Sequence, residues 1–334
     1  MIKKAAVVFL GILAGIIGFF FWGSSASHSS AEYQQIISKT EMITPEARDT
    51  VSLITFNIGY LSGMTNNKSV DRTSQLFDNH LQHGIEVFQK LKPDFIAFQE
   101  IDFASDRSYQ VNQLEEIQNS LLFPFSSKAV NWDKTYVPFP YWPLSQQFGN
   151  IYSGQAIVSN FPILAMEVIP LSQPIDNPFY YNAFYLDRLI QVAKLNVGTK
   201  ELVILNVHLE AFHANTRNEQ IKRVLKEFHK YSEKFAVILV GDFNSTPPGA
   251  SYPYQDDQVI QTLLADFKME MAIEMDENKR YENENFTFPS DSPTRRLDYI
   301  FYNPKFVQIL EARVMHETEQ ISDHLPVYMK FVLR

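Results

Sequence analysis

Val237–Asn244 reads VILVGDFN: four apolar residues, a glycine, then an acid and an amide two positions apart. A run of β-branched and aliphatic residues this short is a strand buried on both faces, and α/β folds carry their chemistry at the ends of such strands. In extended chain, residues two apart point the same way. Asp242 and Asn244 therefore share one side while Phe243 turns inward.

The arrangement recurs. Ile54-Thr55-Phe56-Asn57 ends one strand, Phe95-Ile96-Ala97-Phe98-Gln99-Glu100 a second and Val203-Ile204-Leu205-Asn206-Val207-His208 a third. Arg296-Leu297-Asp298-Tyr299-Ile300 places an acid at the opening of a strand, and Ser322-Asp323-His324-Leu325-Pro326 puts an acid and an imidazole just before another. The set is Asn57, Glu100, His208, Asp242, Asn244, Asp298, Asp323 and His324.

Hard oxygen groups of this kind suit Mg²⁺ or Mn²⁺, and a cation held by one or two carboxylates keeps exchangeable waters. Glu100 is the first candidate ligand, with Asn57 beside it. His324 is the candidate base, because an imidazole titrates near neutrality. His208 is placed to donate a hydrogen bond to a reacting oxygen, and Asp242 with Asn244 to orient water and substrate. Taken singly, a glutamate after a strand is a solvated loop acid and a strand histidine is a satisfied core residue. The joint pattern argues otherwise.

In order and type, these segments resemble the endonuclease/exonuclease/phosphatase superfamily, metal-dependent phosphoesterases that include pancreatic deoxyribonuclease, apurinic endonucleases, inositol polyphosphate 5-phosphatases and neutral sphingomyelinases. The resemblance runs from about Val51 to Leu333. It implies a four-layer sandwich: two packed mixed β-sheets with helices outside each, where pattern alone says only α/β. It also implies that Asp298 partners His324 and that Asp323 lies near the metal. The family carries a further tyrosine or histidine contact in its middle region, which fixes on no single residue here. Tyr152, Tyr181 and Arg188 are candidates, and Arg107 is a similar one. Against these stand an ordinary surface ion pair for Arg188 and a satellite hydrophobic cluster for the aromatic stretches that hold the two tyrosines.

Helical spacing of Phe77, Leu81, Ile85 and Phe88 predicts a helix over Gln75–Lys92, and Ile221, Val224, Leu225 and Phe228 another over Arg217–Tyr231. Further strands are expected at Gln155–Ser159, Ala165–Ile169, Leu189–Leu195, Leu297–Tyr302 and Pro326–Leu333. Phe123–Tyr152 holds nine aromatics and prolines at 124, 138, 140 and 143, and reads as a long functional loop that stacks bases or sugars or enters a lipid interface. Phe179-Tyr180-Tyr181 extends that wall.

The amino terminus is a separate question. Lys3 and Lys4 precede an uncharged run from Ala5 to Trp22, about 27 Å long if helical. Residues 1–22 are thus a signal peptide cleaved near Ser24–Ser27 or an uncleaved anchor, and the Phe19-Phe20-Phe21-Trp22 end favours the anchor. Either exports the remainder, anchored to the membrane or released as a secreted or periplasmic protein. Residues 23–49 read as a tether and 50–334 as one catalytic domain, since the candidate residues span almost all of it.

No cysteine is present, which excludes disulfides and thiolate metal sites. Without Lys3 and Lys4 the chain carries 27 basic and 38 acidic residues, a net charge of −11. Such a surface repels polyphosphate backbones. The expected function is therefore metal-dependent hydrolysis of a phosphoester, with a lipid headgroup or small phosphoester favoured. An exported endonuclease or exonuclease is the runner-up. A catalytically silent binding module would have lost a metal or base residue, and none is missing.

Overall fold

The computed structural model describes residues 2–39, 48, 50–250, 256–274 and 285–334. Its first element is helix α1 (Ile2–Ser24), followed by strand β1 (Gln34–Ser38) and strand β2 (Thr50–Asn57). Helix α2 (Ser74–Leu91) leads to β3 (Phe95–Asp102), and helix α3 (Gln113–Ser120) to the hairpin of β4 (Phe125–Val137) and β5 (Gly149–Ser159). Strand β6 (Ile163–Pro170), the short helix α4 (Phe179–Asn182), β7 (Leu189–Val197) and β8 (Lys200–His208) come next. Helix α5 (Ala214–Ser232), β9 (Ala236–Asp242), α6 (Val259–Leu264), β10 (Glu270–Met271), β11 (Asp298–Tyr302), β12 (Val307–Val314) and β13 (Val327–Leu333) complete the chain.

Two mixed sheets result, one ordered β1-β4-β5-β3-β2-β13-β12 and the other β10-β11-β9-β8-β7-β6. Their facing sides bury Leu53, Ala97, Ile157, Ile204, Ile238, Val240, Ile300 and Met329 in one shared core. On the outside, Phe77 and Phe88 of α2 and Leu114 and Ile117 of α3 close over the first sheet. Ile221, Val224 and Phe228 of α5, with Val259, Ile260 and Leu263 of α6, close over the second. Strand β9 shows why the sequence reads apolar throughout: Ile238 and Val240 face the other sheet while Val237 and Leu239 face the helices. This is the expected four-layer sandwich.

Two expectations are corrected. Phe123–Tyr152 is a hairpin rather than a loop, and only residues 138–148 connect its strands. The prolines cluster at positions 124 and 138–143, outside β4, so the aromatics between them occupy a pleated strand that suits them. The tether is also less free than expected, because β1 pairs with β4 at the sheet edge from Gln34↔Ala129 to Ser38↔Phe125. Its later part, residues 40–47 and 49, lies outside the described residues.

Thr73 caps α2, its hydroxyl accepting from Leu76 N at 3.3 Å, and Lys92 in a left-handed conformation ends it. This brings the chain straight into β3, which runs parallel to β2. In the same way α5 returns the chain from β8 to the parallel β9. Both parallel pairs end at the same edge of the sandwich.

Candidate active site

Convergence follows from strand direction. The pairing Leu53↔Phe95 to Asn57↔Gln99 brings Asn57 and Glu100 to one sheet edge. In the other sheet His208 pairs with Asp242, and Asp298 with Asp242 across the antiparallel β11. Gly241 makes this register attainable: at φ +140°, a Cβ there would lie 1.8 Å from the Val207 carbonyl oxygen.

The two sheets meet through side chains. Asn57 Nδ2 donates to Asp242 Oδ2 at 3.0 Å and to Glu100 Oε1 at 3.3 Å. His208 Nε2 lies 3.4 Å from Asp242 Oδ2 and 3.7 Å from Glu100 Oε1. His324 Nδ1 lies 2.8 Å from Asp298 Oδ2, with its Nε2 3.8 Å from Asp242 Oδ2. Asn244 N donates to Asp242 Oδ1 at 2.8 Å. Ser322 Oγ donates to the Asn57 carbonyl and accepts from His324 N, which ties the Ser322–Pro326 segment to the end of β2. Beneath lies a buried amide lattice, in which Gln99 donates to Asn206 Oδ1 at 2.7 Å and Asn206 to Gln191 Oε1 at 3.0 Å.

Backbone strain aims two of these groups. Glu100 (φ +52°) sits in an irregularity between β3 and β5, and Asn244 (φ +49°) just beyond β9. Left-handed backbone costs a non-glycine residue about 1–2 kcal/mol, a cost concentrated at functional sites.

A cavity of about 860 Å³ opens over this edge, lined among others by Glu100, His208, Asp242, Asn244, Asp323 and His324. Its walls are aromatic: Trp132, Phe139, Tyr141, Tyr180, Tyr181, Phe184 and Tyr185. Six of the eight candidate residues thus line one cleft, and the other two, Asn57 and Asp298, contact Asp242 and His324 of that lining. Of the remaining candidates, Arg188 and Tyr181 line it. Arg188 is buried, its Nη2 donating to Tyr185 Oη at 3.1 Å and its Nε 3.6 Å from Glu210 Oε2, while Nε and Nη1 have no hydrogen-bond partner among the described residues. Arg107 reaches the wall, but Nε and Nη2 are committed to Asp102 at 3.0 and 2.7 Å and its guanidinium lies over Tyr60. Tyr152 does not belong to the cleft, because its ring stacks on His28 with centroids 3.7 Å apart.

Asn66 was not anticipated. Its Nδ2 donates to Asp323 Oδ1 at 3.1 Å and Glu100 Oε2 at 3.4 Å, while its Oδ1 is buried without a partner among the described residues. It follows β2 in a turn, with neither strand nor helix periodicity to mark it.

Charge is unevenly held. Burial pushes the Asp242 carboxyl up to about 7. His208 is held well below its ordinary value by burial and by the nearby Arg188 and His324 charges. Burial would also lower His324, but Asp298 and Asp242 outweigh it and hold the imidazole well above its ordinary value. Asp323 is raised by burial and further by the Glu100 charge. His324 is therefore not a free imidazole titrating near neutrality, as the sequence alone suggested; it shares its proton balance with Asp242.

The donor set around Glu100 and Asp323 fits a hard divalent cation. The two carboxylates converge on the Asn66 amide, whose oxygen lacks a partner among the described residues. Asn57 fits less well as a ligand, since its Oδ1 accepts from Gly59 N at 3.1 Å and its Nδ2 faces the acids. Turning that amide over would set two donors against each other at Gly59. Asp242, Asp298 and His324 also place ligand-capable atoms within 4.8 Å of one another, but the Asp298–His324 contact already occupies Nδ1.

Residues 54–324 match the sequence profile of the endonuclease/exonuclease/phosphatase family. The chain belongs to that family. Its members are divalent-metal-dependent hydrolases of phosphoesters. Among solved structures, an endonuclease/exonuclease/phosphatase from Beutenbergia cavernae DSM 12333 superposes with a TM-score of 0.60 at 19% identity, over 86% of this chain and 72% of the other. The catalytic domain of human Nocturnin with a bound sulfate anion gives 0.58 at 16% identity, over 90% and 98%. A mannosyl-6-phosphatase of Bacteroides thetaiotaomicron VPI-5482 gives 0.57 at 15%, over 85% and 100%. At such identities the likeness is one of fold. No curated protein matches the chain by sequence.

Proposed function

We propose that the protein is a Mg²⁺- or Mn²⁺-dependent phosphoric ester hydrolase whose substrate is a lipid headgroup or small phosphoester. The observation that carries this reading is the meeting of Glu100, Asp323, His208, Asp242 and the Asp298–His324 pair around one cleft. Glu100 and Asp323 would hold the cation, joined by the Asn66 oxygen once that amide turns over, a turn that its partnerless Oδ1 leaves open. When bound, it supplies charge to a phosphoryl oxygen and sites for water.

The chain's own groups do the rest. Water attacks phosphorus as the P–O bond to the leaving group breaks, and the water proton passes to the Asp242–His324 pair. Asp298 fixes the imidazole tautomer through Nδ1. Neutral His208 directs Nε2–H to the phosphoryl or leaving oxygen. Asn244 and Asn57 keep Asp242 oriented, and Arg188, whose Nη1 has no partner among the described residues, offers that nitrogen to a phosphate oxygen. The aromatic wall excludes water and strengthens each of these interactions.

The test is a substrate panel with the full chain and a Mg²⁺ titration: a nitrophenyl phosphomonoester, the matching diester, phospholipid vesicles and plasmid DNA. Release from an ester or a vesicle that requires the cation and is abolished by His324→Ala supports the reading. Plasmid cleavage with no release from lipid or small ester would move the substrate to nucleic acid, against the acidic balance of the chain.

A further inference from the structure

Helix α1 contains a 22-residue apolar stretch, Lys3–Ser24, with mean hydropathy 2.4 and a window that is nowhere buried. At 1.5 Å per residue its 23 residues reach about 34 Å, enough for a hydrocarbon core of about 30 Å. Its last turn is not free. Phe19 packs edge-on to Tyr136 with centroids 5.8 Å apart, and Trp22 stacks on Tyr136 at 5.8 Å. Phe20 packs on both Phe179 and Phe184 at 5.8 Å. Gly23 is buried there, and a Cβ on it would lie 3.1 Å from both the Tyr136 carbonyl and the Phe184 ring.

The segment beyond the helix is tied down as well. Thr135 N donates to the Ser25 carbonyl at 2.8 Å. The Asp133 carboxylate accepts from Ser27 N at 2.9 Å, Ser27 Oγ at 2.6 Å, His28 N at 2.9 Å and Tyr33 Oη at 2.8 Å. Two independent contacts, aromatic and carboxylate, thus fix the helix end to the β4–β5 hairpin.

That hairpin and the Phe179–Phe184 segment form the cleft wall, and Phe184 touches both α1 and the cavity. The rim beside them is apolar and open: Tyr141 is 71% exposed, Trp142 75%, Leu144 63%, Phe179 77% and Tyr180 58%. Residues 138–148 contain no charged side chain. Aromatic groups continuous with a spanning helix belong at the headgroup level.

Resting on the phosphoesterase reading above, we propose that α1 remains in the bilayer as an anchor clamped to the catalytic domain, and that the clamp seats the cleft rim in the headgroup layer. The site then takes its phosphoester from the membrane that holds the protein. Cleavage near Ser24–Ser27 would strip the Tyr136–Phe184 surface of its cover.

Because the chain has no cysteine, single spin labels can be placed cleanly. Trp142→Cys, Leu144→Cys and a control Lys305→Cys at the opposite end of the sandwich would be made in the full chain and reconstituted in phosphatidylcholine vesicles. Collision with oxygen relative to a water-soluble nickel chelate should be several-fold higher at 142 and 144 than at 305. Equal, water-like ratios at all three positions would overturn the seat. The intact mass should include residues 2–24, and a chain beginning at Ser25 or later would overturn the anchor.

Asp133→Ala, and the milder Ser27→Ala, should lower release from vesicles several-fold while leaving hydrolysis of a soluble ester intact. Equal losses on both substrates would overturn the clamp. If no phosphoester is cleaved while the labels still read as lipid-facing, the hydrolase reading falls and the membrane seat stands. If soluble ester is cleaved and the labels read water, the reverse holds.

Discussion

Asp298→Asn tests the proton balance most directly. Asp298 Oδ2 lies 2.8 Å from His324 Nδ1, and both side chains are buried. Asparagine fills nearly the same space, so packing around Tyr299 and Thr287 should survive. What disappears is a unit charge whose centre lies roughly 4 Å from that of the imidazolium. At an effective dielectric of about 20 this amounts to about 4 kcal/mol. If the whole of it is expressed at the transition state, the loss is about 10³-fold in kcat. The new amide can also donate to Nδ1, which would move the ring proton to Nε2, the nitrogen facing Asp242. Initial rates on a soluble phosphoester, at saturating cation, should therefore fall in kcat with little change in KM. His324→Ala should remove at least as much, and the double variant should lose no more than His324→Ala alone, because the carboxylate acts through the ring. A rate within tenfold of the parent, or losses that multiply in the double variant, would refute the pairing as a functional unit.

Glu100→Gln should raise the Mg²⁺ concentration for half-maximal activity about 10–100-fold, with rescue at higher Mg²⁺; an unmoved titration would remove it from the metal site. Gly241→Ala forces a Cβ against the Val207 carbonyl and should cost about 3 kcal/mol, lowering Tm by roughly 4–5 °C in a thermal melt. An unchanged Tm would mean that β8 and β9 can separate freely. Arg188→Lys keeps a charge beside Glu210 but loses the planar fork, so KM should rise about tenfold with a smaller change in kcat; an unchanged KM would exclude substrate contact. Burial alone would raise Asp133, but donors from Ser27, Tyr33 and the His28 backbone outweigh it and hold the carboxyl below its ordinary value. A carboxyl depressed by folding stabilises above its unfolded value of about 3.9, and that contribution is lost as pH falls through the lower folded value. Protection of the Ser27 and His28 amides, corrected for the intrinsic exchange rate, should hold at pH 5 and fall only below about pH 4, and protection that survives unchanged through the acid range would mean that the carboxylate does not hold this segment.

The strand-end residues were legible because one property made them so. A strand buried on both faces tolerates no unpaired polar group, so Asn57, Glu100, His208 and Asp242 stand out where an apolar run stops. Asp298 and His324 were legible as a pair only through the family resemblance, since 25 residues separate them and no local spacing links a strand opening to a distant turn. The β4–β5 hairpin reads as a loop because prolines stand at its tip and base, while Phe125, Trp132 and Tyr136 between them keep no strict alternation to mark a strand. β1 was missed because its polar composition, Gln34-Gln35-Ile36-Ile37-Ser38, suits an edge strand with one solvated side and resembles a tether. Asn66 could not be found at all. Its role comes from where a turn happens to land, opposite two carboxylates contributed by distant segments.

The same physics separates the two arginines of the cleft. Both are buried, and a guanidinium removed from water is tolerable only when opposite charge and hydrogen bonds replace its hydration. Arg107 meets that demand within the protein: Asp102 takes two of its nitrogens in a fork, and Tyr60 takes its face. Arg188 meets it only in part: Nη2 donates to Tyr185 Oη, Nε faces Glu210 Oε2 at 3.6 Å without a hydrogen bond, and Nη1 has no partner among the described residues. A residue kept in that state is supported by its surroundings but not satisfied by them. An anionic oxygen entering from the cleft would complete its hydrogen bonding with little reorganisation. From sequence both were basic residues near strands. Their partners, supplied by the fold, make Arg107 part of the wall and leave Arg188 with unused bonding capacity toward the place where a phosphate would sit.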